Sequence, residues 1–285
     1  MDKYISEFTK QLTLRNLTQK TISGYTQGLT YFLKKCREQI PCLSVQNVQD
    51  YIYGLHKRGQ SPSYINAQTA SIKIFCKTVL DKAWDYTKIP YGKITRRLPV
   101  VMSREDITLL IASAESLKHK AILATLYGTG MRPAELSQLK VSDICSREKE
   151  KTIRIRNGKG RKERFVMLSD KLLDLLRAYW LTVKGAKSEY LFFGVSPEKP
   201  MDPESFGTVF RRTKARAGIK DDSYCYSLRH SFATHLLEDG VDLRSIQAVL
   251  GHTSIEVTTI YCHVMKKRIA EIKSPFDSLP PNATK

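Results

Sequence analysis

Apolar residues recur at three- and four-residue spacing in the first part of the chain: Ile5, Phe8 and Leu12, then Ile22, Tyr25, Leu29, Phe32 and Leu33. That period lines up one face of an α-helix, so two amphipathic helices open the sequence. Thr18 stands before the second with a side-chain oxygen suited to cap it, and Lys34, Lys35 and Arg37 near its end complement the helix dipole. A third helix follows Leu43-Ser44, runs through Val45, Val48, Tyr51, Ile52 and Leu55, and stops at Gly59. Ser61-Pro62-Ser63 opens a fourth, with Ile65, Ile72, Phe75 and Val79 as its buried face. The pattern predicts an all-helical domain over residues 1–88.

From Ile89 to Val101 the helical period lapses around Pro90, Gly92 and Pro99, with Lys93, Arg96 and Arg97 among them. This stretch, residues 89–101, reads as an extended basic linker. A second domain over 102–265 begins with a helix capped by Ser103, with Ile107, Leu110 and Ile111 inward, and continues with a helix from about Lys120 to Tyr127 that Gly128-Thr129-Gly130 ends. Pro133, directly after Arg132, fits the first turn of a further helix. The period then changes to two: Thr152-Ile-Arg-Ile-Arg156 and Glu163-Arg-Phe-Val-Met-Leu168 alternate around Gly158-Lys159-Gly160-Arg161, which predicts a β-hairpin. Helices follow near 169–183, 203–217, 226–239 and 242–250, with a short one at 254–262. The expected class is therefore mainly α with a small β-hairpin or sheet, an all-helical domain followed by a mixed α+β domain. The tail, 266–285, carries Ile269, Ile272 and Phe276 before Pro280-Pro281, and reads either as a segment docking on a neighbouring protomer or as a frayed end.

Composition adds a partner to this outline. The 285 residues hold 47 Lys and Arg against 28 Asp and Glu, a formal charge of +19 and a pI near 9.7. Such an excess points to a polyanion, nucleic acid first, with an anionic lipid surface or plain solubility as the alternatives. Residues 1–98 hold 16 basic and 6 acidic side chains and the remainder 31 and 22, so both halves are basic. A protein closing around DNA needs charge on both sides, whereas a membrane-directed tail would concentrate it. The six cysteines form no C-x-x-C pair, as in a reducing cytosol. No apolar run approaches the roughly 20 residues of a membrane span, and the first residues lack the regions of a signal peptide, so a soluble intracellular protein without membrane partners is expected.

Candidate chemistry lies in the second domain, where Arg132, Lys159, Arg229, His252 and Tyr261 are groups that could address a phosphate. The Gly-Lys-Gly turn is not a nucleotide-binding loop, because no Gly-Lys-Ser or Gly-Lys-Thr follows the required spacing. A zinc site among Cys225, His230, His235, His252, Cys262 and His263 is disfavoured, since their spacings match no common ligand pattern. Thiol catalysis by Cys262 is disfavoured too.

The order of the motifs is far more specific than any one of them. Thr129-Gly-Met-Arg132-Pro-Ala-Glu135-Leu, Gly158-Lys159-Gly-Arg-Lys-Glu-Arg164, Leu228-Arg229-His230-Ser-Phe-Ala-Thr-His235, Leu250-Gly-His252 and then Tyr261 resemble the tyrosine recombinase, or phage integrase, family. Asn16-Leu-Thr-Gln-Lys-Thr21 through Tyr25 and Phe32 is similar to that family's SAM-like helical core-binding domain. The resemblance implies a site-specific DNA recombinase: Tyr261 attacks phosphorus to give a 3′-phosphotyrosyl link, Arg132 and Arg229 hold the non-bridging oxygens, and Lys159 protonates the departing 5′-oxygen. His252 would bond the phosphate or help accept the tyrosine proton. Glu135 either orients its neighbours or is an ordinary surface acid. The resemblance also implies double-stranded DNA core sites as partner, a C-shaped clamp on the duplex, a homo-tetramer on two duplexes, a Holliday junction, and no cofactor or metal. Since the chain starts almost directly with the core-binding helices, a simple recombination system without an arm-binding domain is expected.

One position departs from the family pattern: the place three residues before the second arginine, usually histidine, holds Tyr226. A phenol can donate a hydrogen bond to phosphate but is a weaker general base than imidazole near neutral pH. The base role then falls to His252 alone or to His230, although His230 lies about 100° around the helix from Arg229; His230 and His235 are expected to be mainly structural. The rival readings are a type IB topoisomerase-like enzyme and a DNA-binding regulator of the same fold with weak catalysis.

Overall fold

The computed structural model describes residues 1–36, 40, 42–85, 87–94, 98–147, 150–156 and 163–262. The chain divides into two compact units, Met1–Arg96 and Arg97–Lys285.

The first unit contains α1 (Asp2–Leu14), α2 (Gln19–Lys35), α3 (Val45–Lys57) and α4 (Pro62–Thr78). Their starts are written in the sequence. Thr18, Ser44 and Ser61 each accept a backbone N–H of the first turn, Asn47 returns the bond to Ser44, and Pro62 occupies the first turn of α4. One core gathers the apolar faces, with Phe8, Leu29, Phe32, Leu33, Ile72 and Phe75 fully buried. Polar residues inside it are bonded: Ser71 donates to the Tyr25 carbonyl, and Tyr51 donates to Gln68. The residues that follow are not uniformly extended linker. Trp84 and Ile89 are buried in this core, and Asn66 pairs through its amide with both backbone groups of Gly92. The predicted linker thus begins as part of the first unit, because Ile89 is an apolar side chain with a core to enter.

The second unit runs α5 (Arg104–Ala112), α6 (Leu117–Thr129), α7 (Pro133–Ser137), β1 (Ile144–Arg147), β2 (Glu150–Ile155), β3 (Arg164–Met167), α8 (Asp170–Val183), α9 (Pro203–Arg216), α10 (Ser227–Glu238), α11 (Leu243–Leu250) and α12 (Glu256–Thr259). The predicted hairpin strands pair antiparallel, Ile153 opposite Val166 and Ile155 opposite Arg164. A strand absent from the prediction, β1, completes a three-stranded antiparallel sheet in the order β1-β2-β3. Its four residues are too few to display an alternation. The helix predicted from Lys120 extends from Leu117, with Ser116 as cap, to Thr129, so Gly128 and Thr129 lie inside it and only Gly130 ends it. The helix expected at 254–262 is confined to Glu256–Thr259.

Ile153, Ile155 and Val166 turn one face of the sheet into the main core of this unit, where they meet Leu123, Leu126, Leu136, Leu172 and Leu228. A smaller apolar cluster of Phe232, Ala233, Ile246, Leu250 and Tyr261 joins α10, α11 and the segment after α12. Lys159, the tip of the predicted hairpin, and the tail from 266 lie outside the described residues. Among the described residues no helix is long and apolar enough to cross a membrane.

Candidate active site

The site is built where three chain reversals meet the start of α10. Gly130 ends α6 in the left-handed conformation (φ +61°), and a Cβ there would lie 2.3 Å from the Phe232 ring. Both the backbone angle and the close approach demand glycine. The chain then turns so that Arg132 precedes Pro133 at the head of α7. Glu135, three residues on, reaches back to accept the Arg132 backbone N–H at 2.8 Å and its guanidinium at 2.9 Å.

Glu135 is not a surface acid. Its side chain is 5% exposed, and Arg164 at the start of β3 donates both terminal nitrogens to it at 2.9 and 2.7 Å. Burial pushes the Glu135 carboxyl up, but the bonds from Arg164 and Arg132 outweigh it and hold the pKa below the usual range. Arg132 stays firmly charged: its burial is outweighed by Glu135 and by the neighbouring Tyr226 phenol. Arg164 also donates through Nε to the Val249 carbonyl at 2.8 Å, tying this pair to the end of α11. Removing Glu135 leaves two part-buried guanidiniums unpaired. Glu135→Ala is expected to cost about 3 kcal/mol, the lower end for breaking a buried ion pair, read as a fall in denaturation midpoint; Glu135→Ala with wild-type stability would show the triad to be dispensable.

Arg229, 2% exposed, occupies the first turn of α10. It donates to the carbonyls of Gly130 and Leu250, each at the end of a helix, and its Nη2 stands 3.1 Å from His252 Nε2. Burial, with the charge of Arg132 beside it, lowers its pKa to about 10, so it remains a cation at neutral pH. Gly251, left-handed at φ +65°, ends α11 and delivers His252, whose Nδ1 lies 3.0 Å from Thr258 Oγ1. A guanidinium only donates, so Nε2 of His252 must accept and its ring proton sits on Nδ1, facing Thr258. Tyr226 caps the start of α10, half-buried, with its ring 5.6 Å from that of His230.

Tyr261 is 2% exposed and packs in the small apolar cluster. Burial raises its pKa to about 12 against the pull of Arg229, so the phenol is neutral at physiological pH. Its hydroxyl lies 3.1 Å from Nδ1 of His230. His230, expected to be mainly structural, thus stands against the Tyr261 hydroxyl. Arg229 and His230 face different ways around α10, as the 100° step requires, and partners reach the start of that helix from both directions. His235 does hold structure: it pairs with the Tyr127 hydroxyl at 2.9 Å, and its carbonyl accepts Arg104.

Arg132, Glu135, Tyr226, Arg229, His252 and Tyr261 are thus brought together, while Lys159 falls outside the described residues. The sequence reading missed Arg164 and Thr258. Arg164 carried a signal, because in the 164, 166, 168 alternation it shares a face with buried Val166 and Leu168, where a charge needs a partner. Among the described residues no group of three or more His, Cys, Asp or Glu gathers to hold a metal ion.

Burial lowers the pKa of both His230 and His252 from 6.5 to about 4, Arg229 adding to each and Arg132 and Arg164 also acting on His252. Below pH 6.5 the unfolded chain binds protons that the fold refuses, so their contribution to stability is whole above 6.5 and is lost as pH falls towards 4. The ring resonances of both are expected to titrate near 4 by NMR; midpoints near 6.5 would contradict this packing.

A tyrosine beside two arginines and a histidine, held in a helical domain with this small sheet, defines a DNA strand transferase of the tyrosine recombinase type. Residues 101–268 match the phage integrase family and residues 4–86 match the phage integrase N-terminal SAM-like domain. The chain belongs to the phage integrase family. It is 33% identical to the tyrosine recombinase XerA of Pyrococcus horikoshii over 94% of this chain and 91% of that protein. The fold is shared with the XerH site-specific recombinase in a post-cleavage complex with palindromic difH substrate (TM-score 0.74, 23% identity, 92% of this chain and 83% of that one). It is shared as well with a lambda integrase tetramer bound to a Holliday junction (TM-score 0.70, 15% identity, 91% and 76%).

Proposed function

We propose that this protein cuts and rejoins DNA at a specific site through a covalent 3′-phosphotyrosyl link at Tyr261. The observation that carries the reading is the convergence of Tyr261 with Arg229, Arg132 and His252 from three separated segments. A phosphodiester is anionic and gains charge on its non-bridging oxygens as it is attacked, and guanidiniums already fixed in place stabilise that charge without reorganising. Glu135 and the two helix-end carbonyls do the fixing. Arg132 and Arg229 hold the phosphate, His252 accepts from Arg229 and fixes it in place, Tyr226 donates to a phosphate oxygen, and Lys159 gives a proton to the 5′-oxygen that leaves. The tyrosyl ester keeps the energy of the broken bond, so the strand can be rejoined with no nucleotide consumed.

The basic first unit contributes to binding of the duplex. By analogy with the lambda integrase tetramer on its Holliday junction, four copies act on two duplexes and exchange strands through such a junction. Its substrate puts the protein in the cytoplasm, on the nucleoid.

The test is capture. Sheared DNA from cells carrying the gene is incubated with the protein, the mixture is denatured, and the attached DNA and its peptide are sequenced. One recurring DNA sequence joined to the peptide containing Tyr261 is expected; linkage to another residue, or no adduct, defeats the reading. Two differently labelled duplexes bearing that sequence then exchange partners. Resealing without exchange would leave a topoisomerase-like reaction.

A further inference from the structure

We infer that His230 is the general base for Tyr261 in this protein, a role that rests on the proposed recombinase reading. Its Nδ1 is 3.1 Å from the hydroxyl, within the reach that proton transfer requires. The two residues with a prior claim are poorly placed for it. His252 has its Nε2 turned to Arg229 and its Nδ1 to Thr258, and an Nε2 that accepts from a guanidinium has no lone pair to spare for a phenol. Tyr226, where the family usually carries histidine, is a phenol with a proton of its own and no imidazole nitrogen to take another.

The surroundings of His230 suit the task. Tyr224 and Tyr226 approach its ring from the segment before α10, at 6.4 and 5.6 Å between centroids, and Tyr261 at 5.8 Å from beyond α12. Arg229 is its charged neighbour on α10, and His252 faces it from the turn after α11. No carboxylate is among these groups, so the ring is kept neutral, with its pKa near 4 from burial and then Arg229. A neutral ring is the form that can accept. Arrival of a phosphate offsets the Arg229 charge and makes the imidazole more basic at the moment the proton has to move. Nε2 has no hydrogen-bond partner among the described residues, and the ring is only partly buried, so it can exchange with solvent.

In the step itself the Tyr261 proton passes to His230 Nδ1 while the phenol oxygen forms a bond to phosphorus. The bond from phosphorus to the 5′-oxygen breaks, and that oxygen takes a proton from the acid, Lys159 in the proposed reading. In rejoining, the 5′-hydroxyl returns its proton to the Lys159 amine as it attacks phosphorus, the bond to Tyr261 breaks, and the imidazolium returns its proton to the phenol oxygen.

The experiment compares wild type, His230→Ala and His230→Asn on a nicked duplex carrying the captured sequence. Asparagine keeps an acceptor near the place of Nδ1 but takes no proton. Both variants are expected to bind this duplex as wild type does and to form adduct about 100-fold more slowly or worse, the usual loss when a general base is removed. Imidazole in the buffer is expected to restore part of the His230→Ala rate. Wild-type rates in His230→Asn would reduce His230 to a hydrogen-bonding, positioning residue, and wild-type rates in His230→Ala would remove it altogether. If His230→Ala melts early, His230→Asn decides alone, since it keeps the bond to Tyr261. An inactive wild type would instead defeat the recombinase reading, and this inference with it.

Discussion

Tyr261→Phe is expected to abolish covalent attachment to DNA completely while leaving the fold and DNA affinity in place. The ring is 2% exposed and wedged among Phe232, Ile246 and Leu250, so phenylalanine fills the same space. What goes is one hydroxyl and its bond to His230, worth about 1 kcal/mol. For a unit of this size that moves the denaturation midpoint by roughly 2–4 °C. Tyr261→Ala would mix the effects, since truncating a buried aromatic costs about 3–5 kcal/mol. The phenylalanine variant therefore separates chemistry from folding. The measurement is a denaturing gel of labelled nicked duplex after incubation with each protein, alongside binding on a native gel and a melting curve. An adduct persisting in Tyr261→Phe would put the nucleophile elsewhere, and a large loss of stability would mean that the hydroxyl itself holds the small cluster together.

The same residue illustrates what a sequence can disclose. Helix starts depend on a single side chain and the next few residues, and Thr18, Ser44, Ser61 and Ser103 all stand where their oxygens accept first-turn N–H groups. Gly130 reads as a stop for a comparably local reason, and Gly251 ends α11 in the same left-handed conformation. The motif order brought Arg132, Arg229, His252 and Tyr261 into one list, and the fold brings them into one place. Partnership is harder to read, because it depends on which segments lie side by side. Glu135 was legible as a neighbour of Arg132, three residues along a helix, yet its second partner, Arg164, is 29 residues away on a strand. Whether Glu135 is a surface acid or the buried centre of a triad is decided by that strand. The partner of His230 was hidden for a related reason: a helical wheel gives direction but not what stands there, and the chain after α12 returns the Tyr261 hydroxyl to 3.1 Å from Nδ1 of His230. Strand β1 was missed because a four-residue edge strand takes its shape from β2, not from its own pattern.

Arg229→Ala is expected to lose DNA cleavage by about 10²–10³-fold, the effect of removing one preorganised donor to developing charge, and to lose stability as well. The second consequence follows from what the guanidinium does before any DNA arrives. It bonds the carbonyls of Gly130 and Leu250, which end α6 and α11, so it fixes the turn that carries Arg132 to the turn that carries His252. Alanine leaves both carbonyls buried without these donors, at about 1–3 kcal/mol each. Arg229→Lys tests the geometry: it keeps a charge, but a single ammonium cannot span the positions a planar guanidinium reaches, so it should bind DNA better than alanine and still cleave poorly. Stability is read by denaturation, cleavage by adduct formation under single-turnover conditions, and the His252 environment by its ring resonances. Those resonances should move towards the ordinary titration midpoint in Arg229→Ala, because the arginine's charge helps to hold the imidazole near 4. Full cleavage by Arg229→Ala would end its assignment as a phosphate ligand. Cleavage lost with stability and the His252 midpoint unchanged would instead confine the arginine to the phosphate, and Gly130 and Leu250 would need other donors.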